Sequence, residues 1–247
     1  MADVGMHDGE RGILVGASGT GKSTLAEHVL RQFRDEHPTA RIMVCDTKPR
    51  WRAEHLADGT GTRRYYRQMS KGDTIRGSVA LTRVRDWGIV WDKDLNPSQT
   101  VVVQNLQLPD RVNVLFQTAA AEKFFKTQAA SRPSMIYFDE GHDFFGSNAS
   151  ARGTSDIVQR CFRAGREKGL ATLIGVQRPK GVNLQCLTET SWCAVFRINF
   201  TDDIRRLWEM GWPKDAMPPT YDQPHAFRLW RDTAPGAPLY RLKKGSD

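Results

Sequence analysis

Gly12-Ile13-Leu14-Val15-Gly16-Ala17-Ser18-Gly19-Thr20-Gly21-Lys22-Ser23-Thr24-Leu25 sets a glycine-rich turn between two runs of different period. GILVG has the composition of a short buried strand, and STLAEHVLRQF beyond it has apolar residues at helical spacing. Residues 16–23 fit GxxxxGK[ST], and strand before with helix after is the context that pattern requires. Glycines at 16, 19 and 21 let the backbone wrap so that its N–H groups aim at phosphate oxygens. The helix N-terminus adds a partial positive charge. The expected nucleotide contacts are Gly16, Ala17, Ser18, Gly19, Thr20, Gly21, Lys22, Ser23 and Thr24. Lys22 is expected to bridge the β- and γ-phosphates of ATP, and the Ser23 hydroxyl to ligate Mg²⁺.

Working outward, further strands are expected over Arg41–Asp46, Thr100–Gln104, Ser134–Asp139, Ala171–Val176 and Trp192–Ile198. These runs are continuously apolar, which suits strands buried on both faces. Helical patterns fall between them at Gly21–Glu36, Pro109–Ala130 and Ser155–Lys168, with a last helix at Asp202–Met210. The alternation implies an α/β chain: a mostly parallel central sheet with helices on both faces. One P-loop ATPase domain spanning 1–247 is expected, its core covering about 11–49 and 99–199. An insertion takes up about 48–98, with a small hairpin around Val79–Val84 and Gly88–Trp91. A Pro-rich tail after about 200 is expected to wrap the surface irregularly.

Met135-Ile136-Tyr137-Phe138-Asp139-Glu140 ends an apolar strand in two acids. Parallel strands bring their carboxyl ends to the ligand side, so both acids should face the phosphate loop. Asp139 is expected to hold Mg²⁺, and Glu140 to polarise a water for in-line attack on the γ-phosphate. A kinase of this fold needs the first acid; the second suggests hydrolysis. His142 reads as a loop side chain. Gln177 ends the next strand, where its amide could sense the γ-phosphate or position the attacking water. Arg163 and Arg166 lie three apart on one expected helix face.

Residues 163–179, RAGREKGLATLIGVQRP, resemble the GR…G…strand…QRP arrangement of the HerA/FtsK type of P-loop ATPase, and Asp46-Thr47-Lys48-Pro49 is similar to its D-x-K turn. That group includes chromosome translocases, conjugation coupling proteins and genome-packaging ATPases of double-stranded DNA viruses. The resemblance covers about 12–49 and 100–199. It implies a homo-oligomeric ring, pentamer or hexamer, in which Arg166, with Arg163 second, completes a neighbour's site. It also implies double-stranded DNA as the substrate track and a capsid portal or vertex protein as a further partner. Arg178 is open between serving a neighbour and an internal ion pair.

The composition narrows the partners. Lys+Arg 36 against Asp+Glu 28 leave +8 over 247 residues. Between Lys48 and Arg85 ten basic residues face three acidic ones, a local +7 with Trp51, Tyr65 and Tyr66 interleaved. Such a segment can grip a phosphate backbone without reading sequence, and Arg63, Arg64, Arg67 and Lys71 are the candidate DNA contacts. The stretch 57–71 reads as a loop with glycine hinges and a basic tip. The 39% hydrophobic fraction and the lack of any long apolar run argue against a membrane-spanning or collagenous chain. MADVGMHDGER carries acids where a secretory signal has a basic stretch and an apolar core. A cytoplasmic setting follows, host cytoplasm and virion association if viral. Cys45, Cys161, Cys186 and Cys193 lack zinc spacing and read as reduced thiols. The resemblance, with the local charge, implies an ATP-hydrolysing motor that translocates double-stranded DNA, with the packaging of a viral genome into a capsid as the expected setting. A nucleotide-dependent assembly switch with a protein partner and a P-loop small-molecule kinase are the alternatives.

Overall fold

A computed structural model describes residues 4–46, 63–65, 100–103, 110–128, 131–144 and 157–242. In chain order these form β1 (Arg11–Val15), α1 (Lys22–Glu36), β2 (Arg41–Asp46), β3 (Arg63–Tyr65), β4 (Thr100–Val103), α2 (Asp110–Lys126) and β5 (Ser134–Asp139). Then follow α3 (Ile157–Ala164), β6 (Leu170–Val176), α4 (Leu184–Thr188), β7 (Trp192–Val195), α5 (Thr201–Glu209), β8 (Ala226–Arg231) and β9 (Leu239–Arg241). The strands make one sheet in the order β3-β4-β2-β5-β6-β1-β7-β8-β9. The first seven in that order run parallel, and β8 and β9 add antiparallel.

The central strands are apolar over most of their length because each of their faces meets a hydrophobic layer. In β5, Met135 and Tyr137 join the layer under α1, while Ile136 and Phe138 join the layer under α2 and α3. Helix α1 presents Leu25, Ala26, Val29, Leu30 and Phe33, a stripe at i, i+3/i+4 spacing, to Leu14, Tyr137, Leu173 and Phe196. Each such fully buried large side chain contributes roughly 1.5–3 kcal/mol relative to exposure. The helix stops at His37, which precedes Pro38; a residue before proline is pushed out of the helical region. On the opposite layer, Ala121, Phe124 and Phe125 of α2 and Ile157, Cys161 and Phe162 of α3 cover Met43, Ile136, Phe138 and Ile174. All four cysteines are buried thiols outside any disulfide, and burial pushes the Cys193 thiol far up, so it packs as a small hydrophobe.

Three expectations need correction. The tail beyond 200 is not irregular throughout: Phe227 and Leu229 of β8 alternate with Arg228 and Trp230 and pack onto the α1 layer. Period-two packing against β7 makes a strand where interleaved arginines and flanking prolines hid one. Residues 63–65, inside the stretch read as a loop, form the edge strand β3, parallel to β4, with Arg63 opposite Val101 and Arg64 opposite Val102. The helix expected over 155–168 ends at Ala164, and Arg166–Lys168 form a separate 3-10 turn. The tight turn is closed by Lys168 N–H and Leu170 N–H, both donating to the Gly165 carbonyl at 2.9 Å, and it requires glycine at 165, where a Cβ would come within 2.2 Å of the Cys161 carbonyl oxygen. The hairpin expected around 79–91, Arg67, Lys71 and most of the basic insertion lie outside the described residues.

Candidate functional site

The carboxyl ends of β1, β6 and β5 meet at one end of the sheet, so the phosphate loop, Gln177 and the Asp139-Glu140 pair share that end. Register fixes this: Val15 lies opposite Val176, and Phe138 opposite Ile174. β6 lies between the other two strands, which puts the acidic strand two spacings, about 10 Å, from the loop strand.

The loop is tied to both neighbouring strands. Gly16 N–H donates to the Val176 carbonyl (3.2 Å) and Ala17 N–H to the Arg197 carbonyl (3.0 Å). Gly21 starts α1 at φ 109°, a left-handed value that favours glycine, and Leu25 N–H closes the first turn onto its carbonyl at 2.9 Å. Gly16 is required by contact: a Cβ would lie 2.6 Å from Phe196 Cβ. Lys22 is buried, and its ammonium donates to the carbonyls of Gly16 (2.7 Å) and Ala17 (3.1 Å) inside the loop. The Thr20 hydroxyl donates to the Ala17 carbonyl at 2.8 Å. Ser23 is half-buried and Thr24 exposed on the first turn of α1.

Asp139 is buried and its Oδ1 accepts the Tyr137 hydroxyl at 2.7 Å. Gly175 makes room for that contact, since a Cβ there would lie 2.8 Å from Tyr137 Oη. Asp46, the first residue of the D-x-K turn, stands opposite Asp139 in the β2–β5 register. Glu140 is buried with φ 59°, a left-handed backbone on a non-glycine residue. Its carboxylate accepts from Gln177 Nε2 on both oxygens, at 3.1 and 3.0 Å. His142 Nδ1 lies 3.4 Å from Glu140 Oε2, and its Nε2 lies 3.4 Å from Asp143 Oδ1. Beside this group is a cleft of about 360 Å³ lined by His142, Gln177, Arg178, Lys180 and Gly181.

Arg178 has an internal partner. Its Nε donates to Asp203 Oδ2 at 3.0 Å, and its guanidinium lies over the Phe200 ring at 4.1 Å. Asp203 is fully buried and also accepts from Lys180 N–H at 3.4 Å. Arg163 and Arg166 are exposed and lie before β6 begins, at the far end of the sheet. β6 has seven residues, so about 23 Å of strand separates Arg166 from Gln177. The backbone of Arg166 is instead beside Gly9, whose Cβ would sit 3.2 Å from Arg166 Cα. Sequence reasoning did not find Tyr137, Gly175 or the His142 contact to Glu140. The only signal was a glycine inside an apolar strand, a sign of close approach.

A parallel sheet with a phosphate loop after one strand, acids ending another and a polar strand end between them is the fold of a P-loop NTPase. No protein-family model matches the sequence, and no curated protein matches it. Among solved structures the chain is similar to the genome-packaging NTPase B204 of Sulfolobus turreted icosahedral virus 2. For its sulfate complex the TM-score is 0.60 at 14% identity, covering 97% of this chain and 99% of that one. For its ATP-gammaS complex the TM-score is 0.58 at 12% identity, covering 97% and 100%. It is also similar to EssC (ATPases 2 and 3) from Geobacillus thermodenitrificans, at TM-score 0.51 and 12% identity, covering 97% of this chain and 41% of that one. The resemblance to the HerA/FtsK type of ATPase read from the sequence is thus met at the level of fold. Among the described residues no helix is long and apolar enough to cross a membrane.

Proposed function

We propose that this chain is an ATP-hydrolysing motor that moves double-stranded DNA, and that its setting is the packaging of a viral genome. The observation that carries this reading is the Glu140 carboxylate, clasped by the Gln177 amide from the strand between it and the phosphate loop. Glu140 is the general base that takes the proton of the attacking water, and Gln177 orients it and the γ-phosphate. Lys22 and the loop N–H groups of Gly16–Thr24 hold the phosphates, with the helix N-terminus favouring their charge. The Ser23 hydroxyl and the Asp139 carboxylate form an oxygen-only donor set, which suits Mg²⁺ held jointly with phosphate oxygens. When bound, that ion neutralises charge on the phosphates. Tyr137 orients Asp139 for this task.

The distance between Arg166 and Gln177 favours action on a neighbouring subunit, because neither Arg166 nor Arg163 can span ~23 Å to its own loop. That role requires assembly into a homo-oligomeric ring. Arg63 and Arg64 stand on an edge strand of the sheet, and with Arg67 and Lys71 they would face duplex DNA. The similarity to a genome-packaging NTPase favours packaging over other translocation tasks.

The test is the ATPase rate with and without duplex DNA across a salt series, alongside phosphoryl transfer to nucleosides. Stimulation should fall steeply as salt rises, and joint charge reversal of Arg63, Arg64 and Arg67 should remove it. A rate indifferent to DNA, with acceptor phosphorylation instead, would overturn the motor reading.

A further inference from the structure

The phosphate loop has a second flank. β1 is bordered by β6, on the Glu140 side, and by β7 on the other. A nucleotide whose γ-phosphate points at Glu140 must therefore carry its sugar and base over the β7 flank. We propose that on this flank Tyr221 is the platform on which the base stacks. The inference rests on the nucleotide-binding reading given above.

The flank is built from segments far apart in sequence. The exit of β7 is stitched to the loop by Phe196 N–H to the Val15 carbonyl (2.8 Å) and by Ala17 N–H to the Arg197 carbonyl (3.0 Å). The tail reaches the start of α1, where a Cβ on Gly21 would lie 2.8 Å from Leu242 Cδ1 and 3.5 Å from His225 Nδ1. Leu242 N–H donates to the His225 carbonyl at 3.1 Å, closing the tail around that point.

Tyr221 is the side chain in this flank that packing does not account for. It is 72% exposed. The Arg197 guanidinium lies 3.9 Å from its ring centroid, covering one face. Its hydroxyl donates to Asn199 Oδ1 at 3.4 Å, a long bond that adds to the Arg197 contact in restraining the ring. A pinned aromatic ring with one covered face and one open face needs little ordering on binding, so more of the stacking energy appears as affinity. Arg197 Nε is buried without a hydrogen-bond partner, so the guanidinium is held there by the ring and the loop rather than by an acid. His225 adopts φ 57°, a left-handed backbone on a non-glycine residue. Strain of that kind persists where the surrounding structure imposes it, commonly at ligand sites. It brings the imidazole to the loop's edge, beside the path from α-phosphate to sugar.

The experiment compares Mg·ATP with Mg·tripolyphosphate by isothermal titration calorimetry, for the wild type, Tyr221→Ala, Tyr221→Phe and His225→Gly. Tripolyphosphate keeps the phosphate chain and lacks sugar and base. Tyr221→Ala should weaken ATP roughly 5- to 150-fold, the range of one lost base–aromatic stack, and leave tripolyphosphate unchanged. Tyr221→Phe should keep most of the affinity. His225→Gly, which accommodates the left-handed backbone, should weaken ATP more than tripolyphosphate. An ATP-to-tripolyphosphate preference unchanged by Tyr221→Ala would overturn the assignment, as would a wild type that binds the two equally. A wild type that binds neither would overturn the nucleotide reading itself.

Discussion

Glu140 offers a test in which backbone and side chain report separately. Its φ of 59° lies in the left-handed region, which costs a non-glycine residue roughly 1–2 kcal/mol. Glycine escapes that cost but loses more conformational freedom on folding, roughly 0.5–1 kcal/mol. Glu140→Ala and Glu140→Gly both delete the carboxylate and with it the two bonds from Gln177, so that loss cancels between them. The glycine variant should therefore be the more stable by about 0.75 kcal/mol at the middle of those ranges. For a chain of this size that is about 1–4 °C in melting temperature. Both variants should lose ATP turnover by roughly 10²–10⁴-fold, the scale of general-base catalysis, while ATP binding persists. Urea unfolding at a common slope measures the first difference, and phosphate release under saturating ATP the second. An alanine variant as stable as the glycine one would refute the strain at residue 140. Near-normal turnover in either would refute Glu140 as the base.

Two further outcomes follow from ion pairs and position. Arg178→Ala should cost about 1.5–3 kcal/mol, the scale of a lost charge-assisted hydrogen bond, because it leaves the fully buried Asp203 with only the longer Lys180 N–H bond. Asp203→Asn should cost clearly less, since the freed Arg178 side chain is 49% exposed and can hydrate; equal costs in urea unfolding would contradict this. Arg166→Ala should abolish turnover alone yet regain part of it in rings mixed with Glu140→Gln subunits, which keep Arg166. Mixed rings with no recovered phosphate release would assign Arg166 a role within its own subunit.

The phosphate loop, the Asp139-Glu140 strand end and Gln177 were legible because each is a local signal: a glycine pattern, or an apolar run ending in a polar group. Parallel order then brings them together with no long-range information beyond strand alternation. The edges of the sheet were not legible. β3 has three residues, and β8 alternates arginines with its apolar positions, so both depend on a partner strand that local sequence does not reveal. The helix past Ala164 failed for a different reason. Residues 166–168 have helical composition, and the helix gives way to a turn between two glycines, Gly165 packed against Cys161 and Leu170 backbone and Gly169 in the left-handed region. The Arg178–Asp203 pair joins residues 25 apart, and the sequence left it open. The His142 contact depends on the left-handed turn at Glu140, which no pattern around it announces.

The stitching of the loop to residues far along the chain bears on how the protein is made. β1 is complete once residue 15 has been synthesised, yet both its neighbours, β6 and β7, come after residue 169. Gly5 and Glu10 in turn wait for Arg231, which bonds to both from more than 220 positions away. Contacts of such sequence separation form late and slowly. During translation the glycine-rich turn therefore emerges early but stays unsupported until β6 and β7 have paired on either side. The support of that turn becomes a property of a chain that has passed β7. Nucleotide binding would then act as a report that β6 and β7 have paired on either side of β1.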